Sequence, residues 1–204
     1  MLSIDYERRV PSTADNLPSL CILLKPVCVI RDEGTIPMDG NSEVIHVEKP
    51  QNSCKLCDEY AVRHASKPMA VICCEGACLR GEIARRAADI LCRDLAPEHT
   101  ARICLGGAFT KKGGQRDLVQ KAKHVVAVEG CHVLCASRMM KGVVEGLTPE
   151  IVIADRLCTF DRSLFGADEL PDLEISAHAR TVAQRIASES DAFVEGASRG
   201  CSWR

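Results

Sequence analysis

The sequence predicts an α/β fold, a mainly parallel sheet covered by helices, with an irregular cysteine-containing N-terminal extension. Three observations predict it. From residue 69 onward, short apolar runs alternate with segments whose apolar residues recur at helical spacing. Turn residues, chiefly glycine, punctuate that alternation. Residues 1–66 lack the rhythm and carry Pro11, Pro18, Pro26, Pro37 and Pro50.

The extension reads as short β-like pieces at 21–24, 27–30 and 44–47, separated by turn clusters at 32–34 and 38–41. Ser66-Lys67-Pro68 marks its boundary, so the α/β domain is expected over 67–204, with a C-terminal helix and a mobile tail. Residues 69–74 form one apolar run, the pattern of a strand buried on both faces. A turn over 75–81 follows, and Ile83, Ala87, Ile90, Leu91 and Leu95 then recur at helical spacing before Pro97. A second strand is expected over 101–105, a glycine-rich loop over 106–114 and a helix over 115–123. A third strand takes 124–128, with Glu129-Gly130-Cys131 as its exit turn and a helix over 133–144 beyond. Residues 150–154 make a fourth strand, and a last helix is centred on 177–186. Strands alternating with helices imply parallel crossovers.

Composition narrows the function. Hydrophobic residues are 46% of 204, enough to fill a core, and a chain of this size buries about 70% of its unfolded surface. Lysine and arginine number 26 against 28 acidic residues, which argues against a nucleic-acid or membrane-surface partner. At 3% aromatics, a base-stacking platform is excluded too. No apolar run approaches the roughly 18 residues that span a bilayer. The first residues show no apolar signal-peptide core, so a cytoplasmic setting with reduced thiols is expected.

Against that ordinary background stand 13 cysteines. An odd, high count in a reducing compartment points to metal ligation or redox chemistry rather than a disulfide frame. Parallel strands present their carboxyl ends at one edge of the sheet, where open α/β sheets bind ligands. Cys74 ends the first expected strand, Cys104 lies near the end of the second, Cys131 leaves the third, Cys135 falls one turn into the next helix, and Cys158 follows the fourth. Cys74-Glu-Gly-Ala-Cys78 and Cys131-His-Val-Leu-Cys135 are both C-x3-C at a strand-to-helix turn. Residues i and i+4 share a helix face, and free N–H groups at a helix start favour thiolate. A soft dication such as Zn²⁺ takes four thiolates in a closed site. For Cys73, Cys92 and Cys104 taken alone, packing as small buried hydrophobes explains them better. Cys73 and Cys74, adjacent in a strand, point to opposite faces.

The segments Cys74-Glu-Gly-Ala, Ile103-Cys104-Leu-Gly-Gly and Val128-Glu-Gly-Cys131-His-Val-Leu-Cys135-Ala resemble the DGC-domain family, over roughly residues 69–160. That family is named for an Asp-Gly-Cys motif and is taken to hold zinc through four cysteines. The resemblance implies that those four are Cys74, Cys104, Cys131 and Cys135, which raises Cys104 from core filler to ligand. Cys78 is a fifth candidate. Glu129 stands where the family name implies Asp.

The extension adds Cys54-Lys-Leu-Cys57, whose C-x2-C spacing suits a metal knuckle, with Cys21, Cys28 or His64 as partners, or a redox dithiol. Lys111, Lys112 and Arg116 beside two glycine pairs could cradle an anion, although a solvated loop explains them as well, and no P-loop pattern is present. His132 could tune Cys131 or carry a proton. Glu75 and Glu129 suit hydrogen-bond acceptors behind the thiolates, general bases or plain turn residues. Met139 and Met140 suit a core. Neither a serine-hydrolase elbow nor a dinucleotide-binding glycine pattern occurs.

The function expected is a cysteine-rich metal-binding protein, with zinc held by thiolates at the carboxyl rim of a parallel sheet. The alternatives are a metal- or iron–sulfur-dependent enzyme acting on a small substrate, sulfur-containing ones among the options, and a thiol redox or persulfide carrier. The expected partners are a metal ion and a small-molecule ligand. Substrate, catalytic residues and oligomeric state are not set by the sequence.

Overall fold

The apolar run at residues 69–74 is indeed the middle of a sheet: β1 (Met69–Cys73) is buried along its whole length. It pairs with β2 (Thr100–Arg102) on one side and β3 (His124–Glu129) on the other, and β4 (Glu150–Ile153) lies outside β3. All three pairings are parallel, with Met69 opposite Thr100 and His124, and Val126 opposite Glu150. The computed structural model describes residues 43–52 and 54–189. The chain divides into the units Met1–Val44 and Ile45–Arg204, and the sheet with its helices belongs to the second. The β-like pieces expected at 21–24 and 27–30, Cys21 and Cys28, and the tail at 200–204 lie outside the described residues. Residues 44–47 form no strand and are exposed.

Alternation along the strands divides the core in two. Met69, Val71, Val126 and Val128 face α2 (Leu79–Ile90) and α6 (Asp172–Glu189). Ala70, Ile72 and Ala127 face α3 (Leu105–Thr110), α4 (Gly114–Lys121) and α5 (Cys135–Lys141). The first crossover, through α2, runs from β1 outward to β2. The next returns past β1 to β3 on the opposite face. Between β1 and β3 the winding therefore reverses, and the crevice above their carboxyl ends is the topological switch point, the place where such sheets take ligands.

Several elements differ from the sequence expectation. Residues 55–64, placed in the irregular extension, form a helix, α1 (Lys55–His64), whose Ala61 joins the second core. The edge strand explains its position: Tyr60 Oη accepts the N–H of Arg102 at 2.9 Å, satisfying a β2 amide. Gly114 lets α1 approach α4, since a Cβ there would stand 2.9 Å from that of Ala61. The expected loop at Gly106-Gly107 is instead part of α3. The helix expected after a turn over 75–81 begins earlier, at Leu79, and ends in a π-turn, Leu91–Leu95, where Ala96 N–H donates to Leu91 C=O at 2.8 Å.

Candidate functional site

Five of the cysteines singled out by the sequence occupy loop or helix-start positions beyond strand ends. Cys74 follows β1 directly, and its N–H donates to Val128 C=O of β3 at 2.9 Å. Cys78 is the N-cap of α2, and its sulfur accepts the N–H of Gly81 at 3.4 Å. Cys104 is the N-cap of α3. Cys131 leaves β3, and Cys135 is the first residue of α5. The helical-face argument for the two C-x3-C segments does not hold. α5 begins at Cys135 rather than near 133, because Leu134 takes a left-handed conformation (φ 56°). Cys74 and Cys78 are likewise separated by extended backbone and an N-cap.

Packing around the switch point is tight. Gly130 lies against the start of α2, where a Cβ would stand 2.8 Å from the carbonyl of Arg80 and from the N–H of Gly81. Gly76 leaves room for two sulfurs: a Cβ there would lie 3.3 Å from Cys74 Sγ and 3.8 Å from Cys78 Sγ. Burial pushes the Cys74 thiol up, while the Gly76 and Gly130 amides pull it down and the negative charge of a Cys135 thiolate adds to the rise. Cys131 is half-buried, and Cys135 and His132 are exposed. Among the described residues, no three His, Cys, Asp or Glu side chains are gathered as they would be around a metal ion.

Cys104 sits in a second neighbourhood, with the C-x2-C pair. Gln115, only 6% exposed, accepts the Cys104 N–H at 3.0 Å and donates to the Cys57 carbonyl at 3.4 Å, tying α1 to the end of β2. A Cβ on Gly107 would lie 3.3 Å from Cys104 Sγ, so this helical glycine makes space for the sulfur. Cys54 is the exposed N-cap of α1. The amide and thiol of Cys57 favour its thiolate and hold its pKa below the ordinary value. The same sulfur contact raises Cys57, with burial and Cys104 adding to the rise.

The remaining candidates separate cleanly. Cys73, Cys92 and Cys158 are core residues. Cys73 and Cys74 do not split between the two cores, because the chain leaves the strand after Cys73 and both join the α2 side. Cys158 Sγ donates to Ala154 C=O at 3.2 Å. Met140 is fully buried. Lys111 pairs with Asp58, and the Arg116 guanidinium is spent on the carbonyls of Ala108 and Phe109, so these two do not form an open anion cradle. Glu129 is no solvated turn residue: its buried carboxylate accepts the N–H groups of Ala136 and Ser137 at the start of α5. Glu75 pairs with Arg102, whose guanidinium also reaches Asp89 and the Cys73 sulfur. The sequence carried no signal for this Arg102 cluster, because its members lie on three different elements.

Comparison with the curated proteins and with the solved structures returned no match. Among the described residues, no helix is long and apolar enough to cross a membrane. The family model of the DGC domain matches residues 70–182, which extends the resemblance seen at 69–160 through most of α6. With more than half of its length matched, the sheet, its switch point and the cysteines after β1, β2 and β3 included, this chain belongs to the DGC-domain family.

Proposed function

We propose that the protein binds a soft metal ion, zinc first, through rim thiolates drawn from Cys74, Cys104, Cys131 and Cys135, with Cys78 as the further donor. The single observation that carries this reading is the placement of Cys74, Cys78, Cys131 and Cys135 around the β1/β3 switch point. Donor chemistry supports it: all of these are free thiols, and thiolate sulfur is the preferred ligand of zinc.

Binding then requires closure. The ligands are not pre-gathered, so metal draws the loop from Gly130 to Leu134 and the Cys104 turn toward Cys74. Deprotonation accompanies it, because a buried neutral thiol becomes a bound thiolate. The scaffold has its own two-sided core, so the fold depends on metal far less than in an isolated site, where zinc contributes about 10–16 kcal/mol.

Metal analysis of anaerobically purified protein tests the reading. About one zinc per chain is expected, and Cys131→Ser and Cys135→Ser should each lower that stoichiometry. Protein that takes up neither zinc nor cobalt, or variants that keep the full stoichiometry, would overturn it. Iron with a visible absorbance band would replace zinc by a cluster at the same thiolates.

A further inference from the structure

Cys54 and Cys57 are not among the proposed rim thiolates, although Cys104 beside them is, and the pair has a different construction. Cys54 and Cys57 stand at the start of a ten-residue helix, as its N-cap and third residue. Cys54 is exposed and Cys57 half-buried. Beside Cys57 lies a cavity of about 440 Å³, lined by Cys57, Tyr60, Arg102, Cys104 and Gln115 among others, with Cys54 just N-terminal to its lining residue Leu56 in sequence. That volume is within the range of small-molecule sites. His64, the described residue that could complete a metal knuckle, holds its Nδ1 2.8 Å from Tyr60 C=O and stacks on the Tyr60 ring, and among the described residues it is not gathered with Cys54 and Cys57 as around a metal ion.

We propose that Cys54 and Cys57 are a redox-active dithiol that exchanges with small disulfides, one half of the substrate seating in the cavity beside α1. Cys54 is the attacking sulfur. Its thiolate displaces one half of the substrate R–S–S–R′ and forms the mixed disulfide Cys54–S–S–R, releasing R′S⁻. Cys57, deprotonated, then attacks the Cys54 sulfur, forms the Cys54–Cys57 disulfide and releases RS⁻. Two protein thiols are oxidised, one substrate disulfide is reduced to two thiols, and the protons of the protein thiols leave with the products or to solvent. The division of labour follows exposure. An exposed sulfur at a helix start meets the substrate, and the less accessible sulfur three residues on resolves the intermediate. Gln115 is a positioning residue, holding the backbone of Cys57 against that of Cys104.

The test uses the full-length reduced protein, with glutathione disulfide as the probe and mass mapping of every cysteine peptide. Wild-type protein should form the Cys54–Cys57 disulfide with only transient glutathione on Cys54. Cys57→Ser, and independently Cys57→Ala, should trap glutathione on Cys54. Cys54→Ser should slow modification of the pair by at least about tenfold, since the favoured thiolate is lost. Trapping on Cys57 instead of Cys54, an absence of trapped adduct in both Cys57 variants, or modification of Cys54 no faster than of other exposed cysteines would each overturn the proposal. The mapping is done on metal-free reduced protein, so adducts at Cys54 and Cys57 report on the dithiol, while the zinc stoichiometry of the Cys131 and Cys135 variants reports on the rim site.

Discussion

The carboxylate of Glu129 accepts the backbone N–H of Ser137 at 2.7 Å, and no part of Glu129 reaches solvent. The same carboxylate takes the Ala136 N–H at 3.2 Å. One buried anion thus caps the helix that begins with Cys135, from a strand residue two positions before Cys131. The spacing of these two cysteines is therefore set by the strand end and the helix start it joins. Replacing Glu129 by Gln removes the charge and sets an NH₂ against one of two N–H donors. A loss of about 1.5–3 kcal/mol is expected, the range for hydrogen bonds to charged groups. Urea unfolding of Glu129→Gln checks this, and an unchanged midpoint would show that the cap contributes nothing.

Much of this architecture was legible in the sequence, and the illegible parts share a physical cause. The buried run at β1 and the helical spacing from Ile83 to Leu91 are local signals, and local signals predicted the parallel sheet. The left-handed Leu134 that delays α5 is a tertiary outcome, with Glu129 holding the next amides in place. Gly106 and Gly107 read as a loop because glycine weakens a helix, yet Gly107 is needed there to admit the Cys104 sulfur. Tyr60 and Arg102 lie 42 residues apart, so the contact that anchors α1 has no sequence signature. For the site, the positions of Cys74, Cys104, Cys131 and Cys135 just beyond strand ends or at a helix start followed from the alternation of strands and helices along the chain, whereas the pairing of Cys104 with Cys57 through Gln115 did not.

The buried thiols give an alkaline prediction. Burial raises Cys73 strongly and pushes Cys92 up to about 11. At pH 8 both are neutral in the folded protein, so alkylation should modify Cys54, Cys104 and Cys135 first and reach Cys73 and Cys92 only after unfolding. The sign of the stability effect follows from proton counts. Above roughly pH 8.5 the unfolded chain loses these protons while the folded chain keeps them, so the unfolded state binds fewer protons and stability falls as pH rises. For Cys92 that fall continues through about pH 11. Cys92→Ala should flatten the slope between pH 8 and 11, measured by urea midpoints, at the cost of a smaller core contact. An equal slope in the variant would remove Cys92 as its source.

The acid limb should be governed in part by the pairing of α2 and α6. Arg86 reaches Glu82 at 2.6 Å on its own helix, and Asp172 at 2.6 Å and Ser176 at 2.9 Å on α6. Arg85, then Arg86, hold the Glu82 carboxyl below its ordinary range, and Arg86 does the same for Asp172. A carboxylate with a depressed folded-state pKa contributes stability above its unfolded pKa, roughly pH 4, and loses it as pH falls through the lower folded value. Arg86→Met keeps the apolar stem over α6 and removes the charge. It should cost ~1 kcal/mol at pH 7, the scale of a partly exposed ion-pair network. That difference from wild type should shrink as pH falls below about 4 and the two carboxylates take up protons. Urea midpoints of the two proteins at pH 7, 4 and 2.5 check the sign. A gap that persists at the lowest pH would assign the role of Arg86 to packing instead of charge.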